Sequence, residues 1–162
     1  VNEQAVSFDR DAVIRRWLAS TLGSYPSLSL RFLSGERDRF RNPVGHAVRE
    51  ALPVLLEELL GGMNEERISP MLDQIVRMRA VQDFTASQAV GFVFSLKDAV
   101  RQEDPAGLTP QLERRIDQMA LLAFDLFVAC RDRMNEIKLS EARRSTYLLD
   151  RVRASQPDGE MR

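Results

Sequence analysis

The longest periodic segment of the chain opens at Thr109 and Pro110 and keeps apolar residues at three- and four-residue spacing to roughly Val152. A period near 3.6 sustained over that length is the signature of one long helix. Threonine is a good amino-terminal cap and proline fits the first turn, so the start is marked as well as the body. Within it Ile116, Ala120, Ala123, Phe127, Cys130, Met134 and Ile137 alternate steps of four and three. This heptad-like seam meets Glu141 and Arg144 and fails there. The first half, Met119 to Val128, is apolar nearly all round, so the helix is expected to thread the core first and then to project.

The preceding residues supply partners of the same class. Asp9 or Asp11 can cap a helix carrying Val13, Ile14, Trp17, Leu18 and Leu22, which Gly23 and Pro26 end. A short helical piece is expected to hold Leu28, Leu30, Phe32 and Leu33, and the stretch from Ser34 to Pro43 reads as an exposed connection. A further helix runs from Val44 through Val48, Leu52, Leu55, Leu56 and Leu59 to the stop at Gly61 and Gly62. Pro53 inside it predicts a kink or a break. The next helix is placed from about Ser69, with Pro70 in its first turn and Met71, Leu72, Ile75, Val76 and Met78 facing inward. Thr85 and Gln88 have the spacing of a capping box, opening a helix that carries Ala89, Val90, Phe92, Val93, Leu96 and Val100. No strand alternation and no internal repeat interrupts the series. The expectation is an all-α single-domain helical bundle over residues 9–154 with a long carboxy-terminal helix, flanked by disordered residues 1–8 and 155–162.

Composition narrows the function classes. At 162 residues a domain buries about 70% of the surface its unfolded chain exposes, enough to fold without a disulfide or metal. A net charge of −1 gives no global field for nucleic acid or an acidic membrane. No run reaches the ~20 apolar residues of a spanning helix, and no leader pattern is visible. The lone Cys130 points to a reducing compartment, so a cytoplasmic protein is expected, with no nucleic-acid partner and no membrane insertion. Of 23 basic residues only Lys97 and Lys138 are lysines, so nearly every cation has a guanidinium's forked donors.

Few residues suggest bond-making chemistry. His46 is the sole histidine, which rules out multi-histidine metal sites and leaves a serine–histidine–aspartate arrangement unsupported. It reads as a helix-start histidine beside Arg49 and Glu50, with phosphorylation or haem ligation as the functional alternatives. Cys130, among Phe127, Val128 and Met134, reads as a small core hydrophobe, with Arg131 the one hint of thiolate chemistry. Glu57 with Glu58 and Glu65 with Glu66 are adjacent rather than facing, and read as solvated faces. Arg37, Arg39 and Arg41 alternate with acidic residues, and Arg143, Arg144, Arg151 and Arg153 are interrupted by Asp150, both weak nucleic-acid patterns. No glycine-rich loop is present to cradle a phosphate. No catalytic residue, cofactor or metal is expected.

The most unusual stretch is Arg77-Met78-Arg79-Ala80-Val81-Gln82-Asp83-Phe84-Thr85-Ala86-Ser87-Gln88-Ala89-Val90-Gly91-Phe92. Read structurally it is a tight helix-to-helix corner, in which Arg77 and Arg79 bond free carbonyls and Gly91 lets another helix approach. Read functionally it is a docking point for an acidic ligand or a partner loop. With Asn42-Pro43-Val44-Gly45 upstream and Arg114-Arg115-Ile116-Asp117-Gln118 downstream, it resembles the amino-terminal domain of the stressosome co-antagonist proteins of the RsbRD type. The similarity covers about residues 12–140, and Arg-Ala-Val-Gln-Asp-Phe is its most specific part.

That resemblance implies a dimeric sensory or protein-interaction domain that normally precedes a phosphorylatable STAS domain in a kinase-driven stress response. It also implies a globin-like fold without haem. The sequence ends after the long helix without a STAS domain, which makes an accessory regulator the expected form. The partner so implied is a protein of a signalling or electron-transfer regulatory complex. The expected function is therefore non-enzymatic regulation by protein binding. Its interaction candidates are Arg77, Arg79, Gln82, Asp83 and Phe84 at the corner, and Met134, Ile137, Tyr147 and Leu148 on the long helix, with Leu139 and Val152 in the same apolar set. Two other readings compete: a globin-like haem or small-molecule sensor using His46 or Cys130, and a histidine phosphotransfer bundle using His46.

Overall fold

Asp9 opens the first helix: its carboxylate accepts from the Asp11 and Ala12 amides at 2.9 and 3.2 Å, satisfying donors that a helix start leaves free. The computed structural model describes residues 7–25, 35, 38 and 40–154, without the side chains of 150 and 152–154. Of the expected disordered ends 1–8 and 155–162, residues 1–6 and 155–162 lie outside these residues, as do the piece with Leu28, Leu30, Phe32 and Leu33 and the arginines at 37 and 39. The elements are α1 (Arg10–Gly23), α2 (Pro43–Leu60), α3 (Glu65–Val81), α4 (Ala86–Glu103), a 3-10 turn (Pro105–Gly107) and α5 (Pro110–Ala154). No strand occurs among the described residues, so the expectation of an all-α bundle with a long final helix holds. Its contacts divide it into two units, one through Val128 and one from Ala129.

In the first unit α2 packs along α3, and α1 lies across both α2 and α4. Val13, Trp17, Leu52, Leu55, Leu56, Leu59, Leu72, Ile75, Val76, Val93 and Leu96 are all but sealed from solvent. Each such side chain contributes about 1.5–3 kcal/mol by leaving water. Arg115 at the start of α5 donates to the Leu59 carbonyl at 2.7 Å, capping the end of α2 from a distant helix. Close by, the buried Glu58 accepts from the Asn64 amide at 3.1 Å and pairs with Arg67 at 2.5 Å, fixing the corner between α2 and α3.

Three expectations are corrected. Of the kink or break expected at Pro53, the break does not occur: α2 runs through it, with the ring on the exposed side of the helix and away from its packed face. The start of α3 lies at Glu65 rather than Ser69, so Pro70 is well inside the helix. Asn64 is the cap, accepting from the Glu66 amide at 3.0 Å, and Glu65 and Glu66 sit in the first turn where the helix dipole favours negative charge. Finally, the segment from Met119 to Val128 is not wrapped by core. Met119, Ala120, Ala123 and Phe127 are buried, whereas Leu121, Phe124 and Val128 are 67%, 44% and 39% exposed.

Ser7 and Phe8 are tied down at the 3-10 turn. Phe8 is buried, and a Cβ on Gly107 would stand 2.5 Å from its ring, which is why this position has no side chain. Gly107→Ala is expected to cost about 1–3 kcal/mol through overpacking, read as a lower urea midpoint at unchanged m-value. Beside it, the Ser7 hydroxyl donates to the Asp104 carboxylate, which also accepts from the Ala106 amide at 3.0 Å. These bonds, that from Ser7 foremost, hold the carboxyl below its ordinary range. A depressed folded value means the contribution is present above the unfolded pKa, about 3.9, and lost as pH falls through the lower folded value. Thermal scans of Asp104→Asn against the parent from pH 6 downward are therefore expected to converge at the acid end. A gap that stays constant with pH would refute the linkage.

In the second unit Cys130 and Met134 are half-buried, and from 135 to 149 every side chain is exposed. The larger apolar ones are Ile137, Leu139, Tyr147, Leu148 and Leu149, each more than half exposed. No helix among the described residues is long and apolar enough to cross a membrane.

Candidate functional site

The corner between α3 and α4 is built by the backbone before any side chain acts. Gln82 caps α3 with its amide on the Met78 carbonyl at 3.2 Å. Asp83 adopts the left-handed conformation, φ 58°, which short polar residues tolerate better than most. The turn then folds back so that the Phe84 amide reaches the Arg79 carbonyl at 3.2 Å, the six-to-one bond of a Schellman motif. One residue later Thr85 and Gln88 close their reciprocal capping box, as the sequence spacing predicts.

In such motifs an apolar contact ordinarily joins the residue after the turn to the last full turn of the helix. Here the pair is Phe84 and Arg79, with the guanidinium carbon 5.2 Å from the ring centre. Two more rings enclose it, Phe92 at 4.8 Å and Tyr25 at 4.9 Å, and Tyr25 meets Phe84 edge-on at 5.3 Å. Arg79 is fully buried. It donates to the Gln88 carbonyl at 2.9 Å, the Thr21 carbonyl at 3.2 Å, the Ser24 hydroxyl at 2.9 Å and the Tyr25 hydroxyl at 3.3 Å. No carboxylate pairs with it among the described residues. Its charge is spread over neutral oxygens and aromatic faces, which suits a weakly hydrated planar cation. Burial pulls its pKa down from the ordinary arginine value, and Tyr25 opposes the shift. Burial likewise raises the Tyr25 hydroxyl, with Arg79 opposing. The Thr21 hydroxyl, also buried, has no hydrogen-bond partner among the described residues.

The other candidates at the corner divide by exposure. Arg77 is exposed and pairs with Asp73 one turn back at 2.7 Å. Gln82 and Asp83 are exposed, whereas Phe84 is buried in the ring cluster. Thus Arg79 does bond carbonyls, but those of α1 and of the first turn of α4. The space above Gly91 is open, since a Cβ there would meet nothing within 4 Å, so no helix of the first unit presses on it. In the second unit Met134 is half-buried, and Ile137, Tyr147 and Leu148 are exposed. His46, in the first turn of α2, is half-exposed and lies 3.3 Å from Glu50.

Tyr25, Thr21 and Ser24 escape a reading of the sequence because they lie far from Arg79 along the chain. A signal for Arg79 itself is present: Ile68, Leu72, Ile75 and Arg79 are spaced four, three and four, which places the arginine on the buried stripe.

This corner is also where the resemblance is most specific, and comparison with known families decides it. Residues 11–141 match the family described as the RsbT co-antagonist protein rsbRD N-terminal domain. The chain belongs to this family. The rsbRD N-terminal domain is a regulatory one, related to the stressosome, and its match takes in α1 to α4 and most of α5. The segment Arg-Ala-Val-Gln-Asp-Phe, which marks the rsbRD type in the sequence, is the one whose arginine lies at the centre of the ring cluster. Curated proteins and solved structures give no match.

Proposed function

We propose that this chain is a non-enzymatic, cytoplasmic regulatory domain that associates with itself and relays a signal by protein binding, as the description of its family as a co-antagonist of RsbT suggests. The observation that carries this reading is the run of exposed apolar side chains on α5 beyond residue 134. Scattered surface hydrophobes are ordinary, but Ile137, Leu139, Tyr147, Leu148 and Leu149 all stand exposed on one short stretch of helix, and a concentration of exposed apolar surface usually marks a contact with another chain. The arginine-rich surroundings of these residues add forked donors that fit carboxylates on a protein partner. At the α3–α4 corner, Gln82, Asp83 and Arg77 form the polar rim offered to such a partner, while Arg79 and Phe84 hold the rim in shape.

Sedimentation velocity at tens of micromolar tests the self-association. The expected result is a dimer that Ile137→Ser with Leu148→Ser converts to monomer without loss of helical content by circular dichroism. A strict monomer in the parent protein refutes the reading.

A further inference from the structure

The heptad-like seam of α5 has two charges in its path. Cys130, Met134, Ile137, Glu141, Arg144, Leu148 and Arg151 keep the alternation of four and three residues, so all seven lie along one face of the helix. Ile137 and Leu148 are each more than half exposed. Glu141 and Arg144, between them, are exposed as well, and neither side chain has an ion-pair or hydrogen-bond partner among the described residues. The order along the face is apolar, acidic, basic, apolar. Turned end for end, such a face is complementary to itself.

We infer that residues 134–151 of α5 pair antiparallel with the same residues of a second copy, about a two-fold axis passing between Ala142 and Arg143; the inference rests on the self-association proposed above. Ile137 and Leu148 are equally far from that axis along the helix, and so are Glu141 and Arg144. Each Ile137 therefore meets Leu148 of the second copy and each Glu141 meets its Arg144, every contact being made twice. Charge complementarity selects this arrangement over its competitors. A parallel pairing in register sets Glu141 against Glu141 and Arg144 against Arg144. An antiparallel pairing shifted by one heptad sets Arg144 against Met134 in one direction and against Leu148 in the other, covering a charge that has no partner. In the selected register Met134 meets Arg151, whose aliphatic stem can lie along it. Beside the seam Lys138 comes level with Ser145, so no like charges meet there. The Glu141–Arg144 contacts stand at the middle of the interface, where polar residues fix register and orientation more than strength. A seam that fails at these two residues within one chain is continuous across two.

Charge exchanges in the full chain, read by sedimentation velocity, test the pairing. Glu141→Arg and Arg144→Glu each set like charges opposite one another, and each is expected to raise the dimer Kd about tenfold. Both exchanges in one chain bring opposite charges together again and are expected to restore most of the loss. A parallel dimer would respond to neither single exchange, since like charges face each other before and after. Both positions are exposed, and circular dichroism checks that each variant keeps its helix. Orientation is read separately by a spin label on Asp132→Cys in a Cys130→Ser chain: the labelled backbone positions are about 35 Å apart in the antiparallel dimer and about 15 Å apart in a parallel one. Rescue by the double exchange with the longer distance supports the pairing. A parent dimer that the single exchanges leave unchanged, one that the double exchange does not rescue, or the shorter distance overturns the antiparallel register and leaves self-association standing. A parent monomer overturns both.

Discussion

Arg79→Ala is expected to lower stability by about 3–5 kcal/mol, the largest single effect at the α3–α4 corner. Two costs combine. The side chain fills a site enclosed by Tyr25, Phe84 and Phe92, so its removal leaves a cavity. It also removes the shared donor of four acceptors, the buried Tyr25 hydroxyl and Thr21 carbonyl and the more open Ser24 hydroxyl and Gln88 carbonyl. For a chain of this length the loss corresponds to roughly 6–20 °C in Tm. Arg79→Met separates the two, because it keeps most of the volume and abolishes the donors. It is expected to cost about 2–3 kcal/mol. Replacing a buried charge with an apolar side chain is sometimes neutral, but here the acceptors remain. Arg79→Met as stable as the parent in thermal and urea unfolding would show that those bonds contribute nothing net. Arg79→Lys should not rescue fully, since one ammonium cannot span acceptors on α1 and α4 together.

The second large effect is at Trp17. Its ring is fully buried, and its indole donates to the Phe92 carbonyl at 2.7 Å, joining α1 to α4. Trp17→Ala is expected to cost about 3–5 kcal/mol, nearly all of it packing. The hydrogen bond is the smaller part, because the Phe92 carbonyl also accepts from the Ser95 hydroxyl at 2.7 Å and is not orphaned when the indole goes. Trp17→Phe is therefore expected to cost only about 1–2 kcal/mol. Equal losses for the two variants in chemical denaturation would invert this ranking and show that the indole bond outweighs the packing of the ring.

Helix identity is legible throughout the sequence because each helix buries one face, and burial of one face writes its period into the residues. Val90, Phe92, Val93, Leu96 and Val100 of α4 are all buried as their spacing requires, and Thr85 announces their helix through chemistry confined to four residues. What is not legible depends on neighbours distant along the chain. The early start of α3 turns on Asn64 capping, a weaker mark than Pro70, which an exposed position tolerates. The burial of Arg79 requires Tyr25 and the Thr21 carbonyl, more than fifty residues away along the chain, and the outward turn of Leu121, Phe124 and Val128 requires knowing which side of α5 the rest of its unit covers. An apolar residue carries the same signature whether its own chain or another covers it.

The near absence of lysine gains a practical meaning from where the two lysines stand. Lys97 is held between the Phe94 ring and Asp117, its side chain only 19% exposed, whereas Lys138 is open to solvent in the second unit. Amine-directed reagents thus have two side-chain targets of very unequal reach in a protein whose remaining cations are guanidinium groups. A fluorophore or cross-linker offered at limiting dose should settle mainly on Lys138, next to Ile137, which makes that lysine a ready-made address for watching a second molecule arrive.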